Sequence, residues 1–239
     1  MITLAEVEKL GRVHAVEPAV LSVYLTVPRS AAELPGRVDE LVAAGVRTAG
    51  RSGRLCEEDR RSAREEAALA GRGRPGQRLA VFACAEAGLL EAVMLPEAGP
   101  AAWPERAVLG VRPHIRPLLA ALQPSPRLPA GSLAEPVGGL TAVGLPACLT
   151  AVNAGAVQTL AVPYEGLVPG YECGRCGALG LTADCCPDWG TAPLPVPDLV
   201  EEMVSRTLED GGQVRVVHDA PGGFVARMPS SPSVSRARR

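Results

Sequence analysis

Four of the seven cysteines, Cys173, Cys176, Cys185 and Cys186, lie within fourteen residues of one another. That cluster narrows the choice of local fold more than any other feature of the chain. A Cys-x-x-Cys-Gly segment such as Cys173-Gly-Arg-Cys176-Gly turns two thiols toward one point, and its glycine lets backbone amides face the sulfurs. The second pair, in Asp184-Cys185-Cys186-Pro, follows closely enough to close a ribbon around one tetrahedral ion. Residues 1–13 contain Glu6 and Glu8 and lack the charged-then-apolar pattern of a secretion signal. The cluster therefore reads as metal binding rather than as a disulfide framework. A structural Zn2+ is the expected ion, with Cys173, Cys176, Cys185 and Cys186 as its ligand set. The second turn is irregular. A regular one would read Cys-Pro-x-Cys-Gly, but here it is Cys186-Pro-Asp188-Trp189-Gly190, so an indole stands where the fourth thiolate belongs. Cys185 or Asp188 could substitute, and a ribbon that has lost its metal is the alternative. A redox-active Cys-x-x-Cys fits less well, because no helix begins at Cys173 to lower a thiol pKa.

The remaining pattern divides at proline. Residues 124–136 (PSPRLPAGSLAEP) hold four prolines and little that could pack, and read as a linker. Before it, residues 4–13 have a weak helical spacing, and residues 20–27 (VLSVYLTV) read as a buried strand. Residues 34–51 and 57–70 read as helices, 79–84 and 89–95 as a hairpin, and 108–111 as a strand leading into a helix over 113–122. After the linker, residues 141–154 read as a helix, 157–162 as a strand and 199–208 as an amphipathic helix opened by an Asp198–Glu201 capping box. Residues 214–217 and 224–227 read as closing strands. The expectation is an α/β (α+β) protein with two small mixed α/β domains. They are residues 1–123 and 139–228, joined by a linker at 124–138, with a zinc-ribbon-like insert at 170–190 and a disordered tail at 229–239.

Composition excludes several functions. A hydrophobic content of 47% against 21% charged residues rules out global disorder. No run reaches the roughly 18 apolar residues of a membrane span, and a soluble, cytoplasmic protein without membrane partners is expected. The net charge of −2 provides no global field for nucleic acid. Aromatic residues, at 3%, supply a base-stacking platform poorly. A local exception is the stretch from Arg47 to Arg78, with nine arginines against five acids. Arg47, Arg51, Arg54, Arg60, Arg61 and Arg64 could contact RNA phosphates, and a solvated helix face with opposite-charge pairs explains them equally well. Gly211-Gly212-Gln213 matches the hydrolytic tripeptide of release factors. It joins a helix directly to a strand, however, and reads as a structural turn. His14, His114 and His218 are scattered, and no nucleophile triad, HExxH or phosphate-binding loop is present.

Several segments together resemble bacterial relatives of the archaeo-eukaryotic release factors. Val20-Leu-Ser-Val-Tyr-Leu25, residues 79–95 and Val111-Arg-Pro-His-Ile-Arg-Pro-Leu-Leu-Ala-Ala-Leu122 resemble the N-terminal domain of that family. The helix ending Ala154-Gly155-Ala156-Val157, the following strand, the Cys-x-x-Cys-Gly ribbon and the helix at 199–208 are similar to its C-terminal domain. The family includes release factors, the rescue protein Pelota, the hibernation factor Balon and peptidyl-tRNA hydrolases. Its members carry a central domain that faces the tRNA acceptor end, and here a proline-rich linker stands in that place. The resemblance implies a non-catalytic protein of the rescue or hibernation type, with ribosomal RNA or tRNA and a translation-factor protein as partners. Alternatives are a peptidyl-tRNA hydrolase or termination enzyme, and a degenerate protein-interaction module.

Overall fold

The segment Val-Leu-Ser-Val-Tyr-Leu-Thr forms strand β1 (Val20–Thr26), and its first six residues are all buried. A strand covered on both faces needs a packed layer on each side. The structure is a computed structural model describing residues 2–15, 19–49, 55–95, 104–123, 140–184, 186, 189–217 and 223–229. The chain forms two compact units, Met1–Leu122 and Gln123–Arg239. Residues 124–138, residues 230–239, Arg51, Arg54, Cys185 and Asp188 lie outside the described residues, and with them the expected linker and most of the expected tail.

In the first unit, β2 (Arg78–Cys84), β3 (Leu89–Leu95) and β4 (Arg106–Gly110) join β1 in an antiparallel sheet of order β3-β2-β1-β4. The unit's helices are α1 (Leu4–Leu10), α2 (Leu34–Ala49), α3 (Glu57–Ala70) and α4 (Arg116–Leu122). Side chains alternate across a strand, so Leu21, Val23 and Leu25 face one layer. There they meet Val38, Leu41 and Val42 of α2 and Ala63 and Ala67 of α3. Ser22 and Tyr24 face the other way. Ser22 Oγ accepts the His114 amide at 2.9 Å, and the Tyr24 hydroxyl donates to the His114 carbonyl. Residues 113–115, expected to be helical, are instead irregular, and α4 begins at Arg116. The His114 amide therefore bonds to the sheet rather than to a helical turn.

Two helix starts use caps that the pattern did not reveal. Thr3 and Glu6 form a reciprocal capping box at α1. Cys56 caps α3, its Sγ accepting the Asp59 amide at 3.3 Å and donating to Asp59 Oδ2 at 2.9 Å. Buried Asp59 also accepts the Ala85 amide, at 2.6 Å.

The second unit contains β5 (Thr141–Val143), α5 (Leu145–Asn153), β6 (Thr159–Pro163), β7 (Gly170–Glu172), β8 (Leu179–Gly180), β9 (Leu194–Val196), α6 (Leu199–Glu209), β10 (Gln213–Val217) and β11 (Val225–Arg227). One sheet has the order β10-β6-β11-β5, with β10 and β6 parallel and the other pairs antiparallel. A second, antiparallel sheet of order β8-β7-β9 is inserted between β6 and α6. The protein is thus mixed α/β with several sheets.

Two sequence expectations need correction here. Residues 141–154 are not one helix. Gly144 at φ +84° breaks the chain, leaving a short strand before it and a helix with Pro146 in its first turn after it. Asp198 caps α6 without a capping box, because its carboxylate accepts the amides of Val200 (3.2 Å) and Val168 (3.3 Å) rather than that of Glu201. Among the described residues, no helix is long and apolar enough to cross a membrane.

Candidate metal centre

The inserted sheet is too small to hold itself together by burial, since its strands are three, two and three residues long. It is tied instead to the helices flanking it. Asn153, at the end of α5, donates from Nδ2 to the Leu179 carbonyl at 2.8 Å and accepts the Leu179 amide at 2.9 Å. Arg206 of α6 donates to the carbonyls of Gly177 and Cys176, the latter at 3.3 Å. These two polar clamps hold the first cysteine turn against the helices.

Within that frame Cys173, Cys176 and Cys186 converge, their sulfurs all within 4.8 Å of one another. The Cys176 and Cys186 sulfurs are 3.5 Å apart. Thiolates about 2.3 Å from a common tetrahedral ion lie roughly 3.8 Å from each other, so the spacing fits a metal. Cys173 and Cys186 are buried and Cys176 is half-buried. The Thr191 hydroxyl, 3.3 Å from Cys173 Sγ, and the amides of Cys176 and Arg175 hold the Cys173 thiol down to about 6. Burial, together with the crowding of Cys173 and Cys186, pushes the Cys176 thiol up. A cation among the three sulfurs removes that conflict, because each thiolate then faces a positive charge.

The two cysteine turns are closed by the same pair of hydrogen bonds. In the first, the Gly177 amide donates to the Cys173 carbonyl at 2.7 Å and the Cys173 amide to the Ala178 carbonyl at 2.8 Å. In the second, the Gly190 amide donates to the Cys186 carbonyl at 2.7 Å and the Cys186 amide to the Thr191 carbonyl at 3.1 Å. Gly177 and Gly190 both adopt left-handed conformations, at φ +70° and +60°. Cys176 of the first turn therefore corresponds to Trp189 of the second. Trp189 is 49% exposed, and the Arg175 guanidinium lies 3.9 Å above its ring.

The structure thus brings together three of the four expected ligands, and Cys185 falls outside the described residues. Thr191, Arg175, Arg206 and Asn153 support the centre without having been singled out in the sequence. Only the Gly190–Thr191 repeat of Gly177–Ala178 hinted at one of them.

The remaining cysteines are dispersed. Burial pushes the Cys148 thiol up to about 11 and also raises Cys84. Of the basic run, Arg47 and Arg61 are exposed. Arg60 and Arg64, one turn apart on α3, both reach Asp39 of α2, at 3.0 and 3.6 Å. The Gly211–Gln213 tripeptide is a tight turn. Its amides donate to the carbonyls of Leu208, Thr207 and Gln158 at 3.1, 2.8 and 2.8 Å.

No protein-family profile matches the chain, and no curated protein does. Among solved structures, the C-terminal domain of a peptide chain release factor from Methanosarcina mazei is similar over 40% of this chain and 74% of that one. The identity is 21% and the TM-score 0.27.

Proposed function

We propose that this chain is a non-catalytic, release-factor-like protein of the cytoplasm that binds the ribosome or its associated factors, in the manner of a rescue or hibernation factor. The observation that carries this reading is the ribbon. A cluster of three cysteines drawn from two turns sits between β6 and α6, within the stretch whose sequence resembles the release-factor C-terminal domain. A structural Zn2+ held there by Cys173, Cys176 and Cys186 would fix a small sheet that has almost no core of its own, leaving its outer surface for a protein partner. The first unit would meet RNA through arginines of α2 and α3. Arg47 and Arg61 are the better placed, since Arg60 and Arg64 share Asp39.

The non-catalytic part of the reading follows from the Gly211–Gln213 turn. A hydrolytic tripeptide has to reach its ester from a free loop, whereas every amide of this one is bonded within the unit. Co-sedimentation of the purified protein with ribosomes at low and moderate salt tests the proposal. Retention that weakens as salt rises supports docking through phosphates, and absence from the pellet at both salts refutes it. A Gln213→Ala variant that pellets normally, alongside a wild-type protein that releases no peptide from peptidyl-tRNA, separates the binder from the hydrolase.

A further inference from the structure

We infer that the cysteine centre is a three-thiolate metal site whose fourth coordination position is left to a solvent molecule, exchangeable for a small donor such as imidazole or a free thiol. This deepens the ribbon reading above and rests on the cluster taking a metal at all.

The inference comes from comparing the two turns. Their hydrogen bonds match at both closing positions, and their glycines share one conformation. The second turn is therefore closed like one that presents two ligands, yet among its described residues Cys186 alone is of a ligand type. At the position of its second ligand stands Trp189, whose indole has no lone-pair donor to ligate a metal ion. The indole is also half exposed, with the Arg175 guanidinium of the opposite turn 3.9 Å above its ring. The side of the cluster near Thr191 is lined by a hydroxyl 3.3 Å from Cys173 Sγ, a group suited to hydrogen-bonding a solvent molecule. Cys185 precedes the turn by one residue, the place Glu172 holds before Cys173. Closed structural zinc sites use four protein ligands, whereas sites with three keep one position for exchange. Thiolate donors favour d10 ions such as zinc over calcium or magnesium.

The test is titration of the metal-free full chain with cobalt(II) alone, followed by its thiolate-to-metal charge-transfer absorbance and its visible ligand-field bands. For the wild type, the expected charge-transfer intensity corresponds to three thiolates per ion, and imidazole shifts the ligand-field bands. Trp189→Cys raises the intensity by about a third and abolishes the imidazole response, because the retained turn now offers its second thiolate. Cys185→Ser leaves the wild-type spectrum unchanged. Cys176→Ser lowers the intensity by about a third, which counts the thiolates even if the Trp189 variant misfolds. With a wild type indifferent to imidazole, a Cys185→Ser loss of about a quarter, or an imidazole response that appears only in Asp188→Ala, overturns the inference by making Cys185 or Asp188 the closing ligand. No cobalt uptake by the wild type overturns the metal reading as well, and ribosome pelleting would remain a separate question.

Discussion

The two units solve the same problem with different means. In the first, strands of five to seven residues are packed against helices, and the buried positions of β1 and β2 are almost continuous. Cys84 is one more apolar contact there, and Arg37 and Arg60 of the helices pair with Glu105 and Asp39 at partly exposed positions. In the second, the inserted strands are two or three residues long, and polar clamps and clustered thiols take over where burial is scarce. Area removed from water stabilises the first unit in proportion to its extent. An ion held by the three sulfurs would stabilise the ribbon in a single step. Cysteine thus has opposite roles in one chain, inert where the core is thick and clustered where it is thin.

That contrast can be broken most directly by removing metal. A strong chelator, or Cys173→Ser, is expected to abolish hydrogen-exchange protection in β7, β8 and the two turns while leaving β1 and β2 protected. Loss of protection in both units together would show that the ribbon is not a separate stability element. Next in size is Phe82→Ala. It removes a fully buried ring that meets Tyr24 edge-on at 5.9 Å. A loss of about 3–5 kcal/mol in urea denaturation, with metal content unchanged, is expected.

A smaller effect should follow Asp39→Asn, which releases Arg60 and Arg64. These side chains are 40% and 43% exposed, so the expected cost is only about 0.5 kcal/mol by denaturation. The same variant should pellet with ribosomes to higher salt if the basic face of α3 contacts RNA. The smallest expected effect concerns Glu105. Burial pushes its carboxyl up, but hydrogen bonds from the Arg37 guanidinium and the Thr26 amide outweigh it and leave the pKa lowered. Its contribution is therefore complete above the ordinary carboxylate range and is lost as pH falls through the depressed value. Glu105→Gln should cost a few tenths of a kcal/mol at neutral pH. The gap from wild type should close on acidification, as measured by urea midpoints across the acid range.

Elements were legible in the sequence where one physical rule governed several turns or a whole hairpin. Helix α3 is read at its true bounds because its small residues recur on one side and Gly71 follows. The β2–β3 hairpin is visible from two apolar runs about a short turn. The three ribbon strands were not, because two or three residues carry no period. β5 was absorbed into α5 because Thr141–Val143 offers no alternation, and the left-handed Gly144 that separates them looks like any glycine in a string. The metal centre was read from spacing, including the misfit at Trp189. The spacing could not show that the second turn is closed by the same hydrogen bonds as the first, since these are made by the main chain rather than by side chains.

The tight approach at Gly212 has a consequence for strand alignment. A Cβ there would lie 2.6 Å from the Val157 carbonyl, and the next amide, that of Gln213, bonds the Gln158 carbonyl. The glycine therefore sets the phase in which β10 is laid along β6. Were a larger residue to push the strand one place along, the two-residue period would exchange its faces. Val214 and Val216 would turn to water and Arg215 would turn toward the interior. A missing side chain at one turn thus determines which half of the following strand belongs to the core.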